Sequence, residues 1–120
     1  DVKVDVWGVG ITAIELAQMS PPFADIKSVF QVMMLIVNGE PPKPEKHVDT
    51  SITFQNFLSS ALVKDPAQRP SAGTLLKTDF VKSAKVDSLR GLIEQHLKNK
   101  AEGVSAPGAS MRSPGKSKEI

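Results

Sequence analysis

The stretch that most constrains this chain is DVWGVGITAIELAQM, Asp5 to Met19. After Asp5 its polar residues are Thr12, Glu15 and Gln18, three apart, so a helix gathers them on one narrow stripe. The remaining positions are Val, Trp, Gly, Ile, Ala, Leu or Met. A surface helix shows an apolar face of about 100°, whereas one that is apolar nearly all round has to be enclosed by protein or lipid. A membrane span takes about 20 consecutive apolar residues, and Glu15, Gln18 and the Ser20-Pro21-Pro22 stop interrupt any such run. The pattern therefore predicts a central helix with other elements wrapped around it. Asp5 stands where a first-turn carboxylate accepts backbone N–H groups and favours the helix dipole. Gly8 and Gly10 each cost about 1 kcal/mol inside a helix, so the pair predicts close packing by another backbone.

The chain has 120 residues, at most one domain's worth. It starts in mid-pattern, which predicts that part of the fold precedes Asp1. It has no cysteine, which excludes disulfides and thiolate metal sites and fits a reducing, cytoplasmic setting. Net charge is +2 but uneven: residues 1–84 carry eight Lys/Arg against nine Asp/Glu, and residues 85–120 carry seven against four. The near-neutral first part gives no sign of a nucleic-acid partner.

Beyond the proline stop, Lys27 to Val37 reads as a second helix, with Asp25 as N-cap and Asn38-Gly39 as C-cap. Its run from Val32 to Val37 is crowded with apolar residues. Apolar stripes at helical spacing favour core, and the competing reading is a docking face with adaptable methionines. Glu40 to Thr50, with Pro41, Pro42 and Pro44, is a stiff loop, and His47 within it has no second ligand at metal spacing. Thr53 to Lys64 is the clearest amphipathic helix, with Phe54, Phe57, Leu58, Ala61 and Leu62 on one face. Lys64-Asp65-Pro66 stops it, and Ser71 caps a short helix from Ala72 to Lys77. Arg69 is either a solvated loop arginine or a fork that clamps a carboxylate elsewhere in the fold. Val86 to Lys98 forms a last amphipathic segment weakened by Gly91. From Ala101 to Ile120 the composition is too poor in large apolar groups to offset ordering entropy, which predicts a disordered tail carrying a Ser113-Pro114 pair. No Gly-rich phosphate loop, nucleophile–base pair or metal cluster emerges from spacing.

DVWGVGITAIEL, SPPF and KDPAQRPSAGTLLKTDFV, in this order and at these separations, closely resemble the end of a eukaryotic protein kinase catalytic domain. The wording is nearest to the germinal-centre kinases of the sterile-twenty-like group, which act on Ser/Thr. The resemblance covers Asp1 to about Val81 and implies an all-α piece, the helical C-lobe portion of an α+β kinase fold. The implied division is residues 1–84 as the end of the catalytic domain (helices F to I), 85–100 as a following amphipathic helix, and 101–120 as the tail.

The resemblance also implies roles. Asp5 matches the aspartate that opens helix F and holds the catalytic loop. Thr12 and Leu16 match positions on which the adenine-side spine rests. Trp7 matches an aromatic residue beside a buried ion pair whose arginine is Arg69, with the Glu of an upstream APE motif as partner. Pro22 and Phe23 match the turn beside the peptide groove, with Glu15 pointing towards it. Lys27 to Val37 matches helix G, whose Val29, Phe30, Met33 and Met34 are candidates for docking substrates and regulators. ATP and Mg²⁺ would belong to the parent domain, since the Gly-rich loop, ATP-clamping Lys, HRD and DFG lie upstream in such kinases. These 120 residues alone are then expected to be inactive, and to be aggregation-prone or partly molten. The alternative is a non-catalytic helical interaction module or pseudokinase remnant.

Overall fold

A computed structural model describes residues 2–103. Over these residues the backbone forms six α-helices and one 3-10 turn, with no strand, so the all-α expectation holds. α1 spans Val4–Gln18, one residue earlier at each end than the sequence pattern places it. Its N-cap is Lys3, and no side chain caps it. Asp5 lies within the first turn, as the pattern predicts, where its charge favours the helix dipole; it is exposed and does not cap the helix, because a capping carboxylate stands just outside the first turn.

α3 spans Ile52–Ala61, and the hydroxyl of its N-cap Ser51 accepts from the Phe54 N–H at 3.2 Å. Phe54, Phe57, Leu58, Ala61 and the following Leu62 are all buried, the five positions picked out by their spacing. Against them α1 packs Val6, Gly10 and Ile14, four residues apart and therefore on one face. α4 (Ala72–Leu75) is capped by Ser71 and adds buried Leu75, and α5 (Asp79–Lys82) brings Phe80 to 5.1 Å from the rings of both Phe54 and Phe57. Each large side chain so buried contributes about 1.5–3 kcal/mol.

Gly10 sets how closely α1 and α3 approach. A Cβ there would lie 2.7 Å from Leu62 Cδ2 and 3.1 Å from Ala61 Cβ. Leu62 is itself 2% exposed and has nowhere to retreat. Gly10→Leu is expected to wedge the helices apart and destabilise by about 1–3 kcal/mol, read as a lower urea midpoint. Gly8 has no atom within 4 Å of where its Cβ would be. Close packing thus holds at Gly10 alone, and against side chains rather than backbone.

α2 spans Val29–Asn38 and differs from expectation in two ways. Its N-cap is Ser28, whose hydroxyl accepts from the Gln31 N–H at 3.4 Å, and not Asp25. The chain is still turning after the double proline, with the Ile26 N–H bonded to the Phe23 carbonyl at 3.0 Å, so the helix begins later. The core reading of this helix is also corrected, because none of its residues is buried. What holds its end is polar: the Lys64 ammonium donates to the carbonyls of Val37 at 2.6 Å and Gly39 at 2.7 Å. A cation on the last carbonyls satisfies acceptors that the helix leaves open and opposes its dipole.

The chain divides into two compact units after Ser83. In the second, a 3-10 turn (Val86–Leu89) leads into α6 (Arg90–Ala101), which passes through Gly91 without a break. Lys98 and Lys100 in the last turn complement its dipole, and no residue of α6 is buried. Ala101 belongs to this helix, which corrects the expected start of the tail. The rest of that tail, from residue 104 and including Ser113-Pro114, lies outside the described residues.

Candidate functional site

Three places gather the residues singled out by sequence. The first is a knot where the start of α1 meets the segment after α3. Asp65 folds that segment back on itself: its carboxylate accepts from the Ala67 N–H at 2.9 Å, and its carbonyl accepts from the N–H groups of Gln68 and Arg69. This side-chain-to-backbone turn suits an Asp followed by Pro. It delivers Arg69 inward, where it is 7% exposed. Arg69 Nε donates to the Val63 carbonyl at 2.7 Å, Nη1 to that of Lys3 at 2.9 Å and Nη2 to that of Lys64 at 3.1 Å. Its guanidinium carbon stands 5.1 Å from the centroid of the half-buried Trp7 ring, within cation–π reach. Lys3 adds a second tie, donating from Nζ to the Pro66 carbonyl at 3.0 Å.

The solvated-loop reading of Arg69 is thereby overturned. The planar guanidinium, with five N–H donors in a fixed fork, uses three of them to join the end of α3 to the entry of α1. Trp7 and Arg69, sixty-odd residues apart in the chain, come together. The carboxylate that the sequence reading offered as an acceptor is replaced, among the described residues, by these three carbonyls.

The second place is the outer face of α1. Asp5, Val9, Thr12 and Leu16 fall within about 60° of one another at ~100° per residue. All four are exposed, Leu16 to 72%, on the side turned away from the packed residues Val6, Gly10 and Ile14. Beside Asp5 and Val9, a groove of about 460 Å³ is walled by Val6, Phe57, Leu75 and Val81.

The third place is the turn after α1. Met19 and Phe23 both have left-handed backbones, at φ 62° and 64°. Neither is glycine, and a bulky side chain there is an outlier that its surroundings have to enforce. The Ala24 N–H closes on the Pro21 carbonyl at 3.2 Å, leaving Pro22 and Phe23 half-buried. Glu15 is exposed one turn before the end of α1. From this turn the chain enters α2, where Val29, Phe30, Met33 and Met34 are all exposed and Phe30 and Met34 line a concavity of about 600 Å³.

Two contributors escaped the sequence reading. In the sequence Lys64 is part of a helix stop, and in the structure it anchors α2. Gln18 belongs to the polar stripe of α1, and its amide joins the turn to the proline-rich loop. Elsewhere the electrostatics are mild. Glu40, fully exposed, is held below the ordinary carboxylate value by its hydrogen bond from Lys43 at 2.9 Å. His47 stays at the surface, 3.2 Å from the Glu45 carboxylate. No three His, Cys, Asp or Glu gather into a metal site among the described residues, and none of their helices is long and apolar enough to cross a membrane.

Comparison with known proteins places these features. Residues 1–81 match the family model described as protein kinase domain. The chain is 46% identical over 99 residues to the serine/threonine-protein kinase pakE of Dictyostelium discoideum, an alignment covering 82% of this chain and 11% of that protein. It is 39% identical over 109 residues to the serine/threonine-protein kinase dst2 of the same organism, covering 90% of this chain and 10% of the relative. The chain therefore spans about a tenth of the length of these relatives. The match takes in α1 to α4 and α5 up to Val81, with the Arg69–Trp7 knot and the left-handed turn inside it, and the chain belongs to the protein kinase domain family.

Proposed function

We propose that these residues form the base of the large lobe of a serine/threonine protein kinase, nearest to the germinal-centre group, within a longer cytoplasmic protein that transfers the γ-phosphate of MgATP to Ser/Thr hydroxyls. The observation that carries the reading is the family match over residues 1–81, supported by two relatives whose names specify serine/threonine kinases. In this reading the exposed Asp5–Thr12–Leu16 face of α1 receives the catalytic loop and spine from residues upstream, which accounts for apolar side chains such as Leu16 lying bare. Arg69 has N–H donors beyond the three used by carbonyls, and these suit the Glu of an APE motif. Pro22, Phe23 and Glu15 form part of the wall of the peptide groove. ATP and Mg²⁺ belong to the longer protein, because the donor set here does not fit them: no phosphate-cradling Gly-rich loop occurs in the sequence, and the described carboxylates do not converge.

A second reading, a non-catalytic interaction module, is favoured by one observation, the wholly unburied α2. The deciding experiment reads the coding sequence upstream of Asp1 and assays the longer protein. The kinase reading expects HRD, DFG and APE motifs, and Mg²⁺-dependent transfer of labelled γ-phosphate to Ser/Thr peptides that EDTA abolishes. Absent motifs, or no transfer by the longer protein, would sink it in favour of the module.

A further inference from the structure

The strained turn at the end of α1 is held from outside itself, and the holding group is Gln18. Its half-buried amide uses both ends: Nε2 donates to the Ser20 carbonyl at 3.0 Å, and Oε1 accepts from the Glu45 N–H at 3.1 Å. A carbonyl takes only a donor and an N–H only an acceptor, so the two partners fix the orientation of the amide. The first bond spans the left-handed Met19. The second crosses 27 positions of chain to a loop stiffened by Pro41, Pro42 and Pro44. That loop is seated: Pro42 is buried, and together with Leu58 and Leu62 at the end of the α3 segment it lines a basin of about 490 Å³. Gln18 therefore refers the turn Met19–Phe23 to the packed core through a loop that bends little.

We infer that Gln18 is a positioning residue for peptide substrate: it fixes the left-handed turn that carries Pro22 and Phe23, and so sets the groove wall against which the residues flanking the acceptor Ser/Thr lie. This rests on the kinase reading above. Both amide partners of Gln18 are main-chain groups of the turn and the proline loop, so the influence assigned to it falls on peptide binding rather than on phosphoryl transfer. The two bonds are separable chemically. Gln18→Glu keeps an acceptor for the Glu45 N–H but turns an oxygen towards the Ser20 carbonyl, and Gln18→Ala removes both bonds.

The test uses the longer protein and two readouts. Amide hydrogen exchange comes first, since it is independent of catalysis. In Gln18→Ala, exchange over residues 19–24 and at Glu45 is expected to speed up at least about tenfold; in Gln18→Glu the acceleration is expected over 19–24 with Glu45 spared. Unchanged exchange in Gln18→Ala overturns the latch. Steady-state kinetics come second: Gln18→Ala is expected to raise KM for a Ser/Thr peptide about five- to tenfold, with kcat and the KM for ATP within about twofold, and Gln18→Glu to fall between. Faster exchange with an unchanged peptide KM, or an equal rise in the KM for ATP, overturns the positioning role. If the unaltered longer protein transfers no phosphate, the kinase reading and the substrate role fail together, while the exchange result still decides the latch.

Discussion

Replacing Arg69 with alanine in the longer protein will lower its melting temperature by about 10 °C. The side chain satisfies three carbonyls from two distant parts of the chain, Lys3 on one side and Val63 and Lys64 on the other, while stacking near Trp7. A carbonyl left without a partner in a buried setting costs about 1–3 kcal/mol, and the lost cation–π contact adds about 0.5–2 kcal/mol. Water entering the gap recovers part of this, so the net loss expected is about 3–5 kcal/mol, and in a domain of this class each kcal/mol moves the melting point by about 2–4 °C. Arg69→Lys is expected to recover less than half of the loss. One ammonium cannot reach three acceptors lying in different directions, and it offers no flat face to the indole. A shift under about 2 °C for the alanine variant would show that the knot is not a structural joint.

The second large effect concerns the 120-residue chain by itself. It is expected to bind the dye ANS strongly and to self-associate as concentration rises, and both properties should be absent in the longer protein. α1 and its C-cap leave Val4, Val9, Leu16 and Met19 exposed, the last to 87%, and α2 leaves every large apolar residue but the half-buried Val32 exposed. Each such side chain forgoes about 1.5–3 kcal/mol of burial, against the roughly 5–15 kcal/mol that separates a folded domain from its unfolded chain. Patches of this size rarely stay bare on a monomer. A monomer by sedimentation at high concentration, with no ANS enhancement and a sharp cooperative melt, would overturn the expectation.

Legibility in the sequence followed the kind of force involved. The buried face of α3 was readable to the residue, because Phe54, Phe57, Leu58, Ala61 and Leu62 form a one-sided stripe, although the helix ends at Ala61 rather than at the expected Lys64. The C-terminal end of α1 was readable to within one residue from the prolines that follow it, and the cap at Ser71 from its residue type. α2 was not, because a helix apolar on all sides carries no information about which side is covered, or whether any is. Asp25 is a good cap by residue type, and only the course of the chain after Pro22 moves the cap to Ser28. The roles of Gln18, Lys64 and Arg69 each include a hydrogen bond to a backbone atom 25 or more positions away. Main-chain carbonyls and N–H groups are the same at every residue, so no residue type announces such a partner in advance.

Lys64 has a mechanical consequence. α2 is about 15 Å long at 1.5 Å per residue, and the tie from Lys64 grips it at one end, at Val37 and Gly39. A rod clamped at one tip behaves as a lever. Small displacements of the ammonium are magnified towards Val29 and Phe30, and removing its charge by acylation would release the clamp without disturbing a single core side chain. Because this tie carries a charge, the surface of α2 should soften with added salt while the packing of α1 on α3 does not.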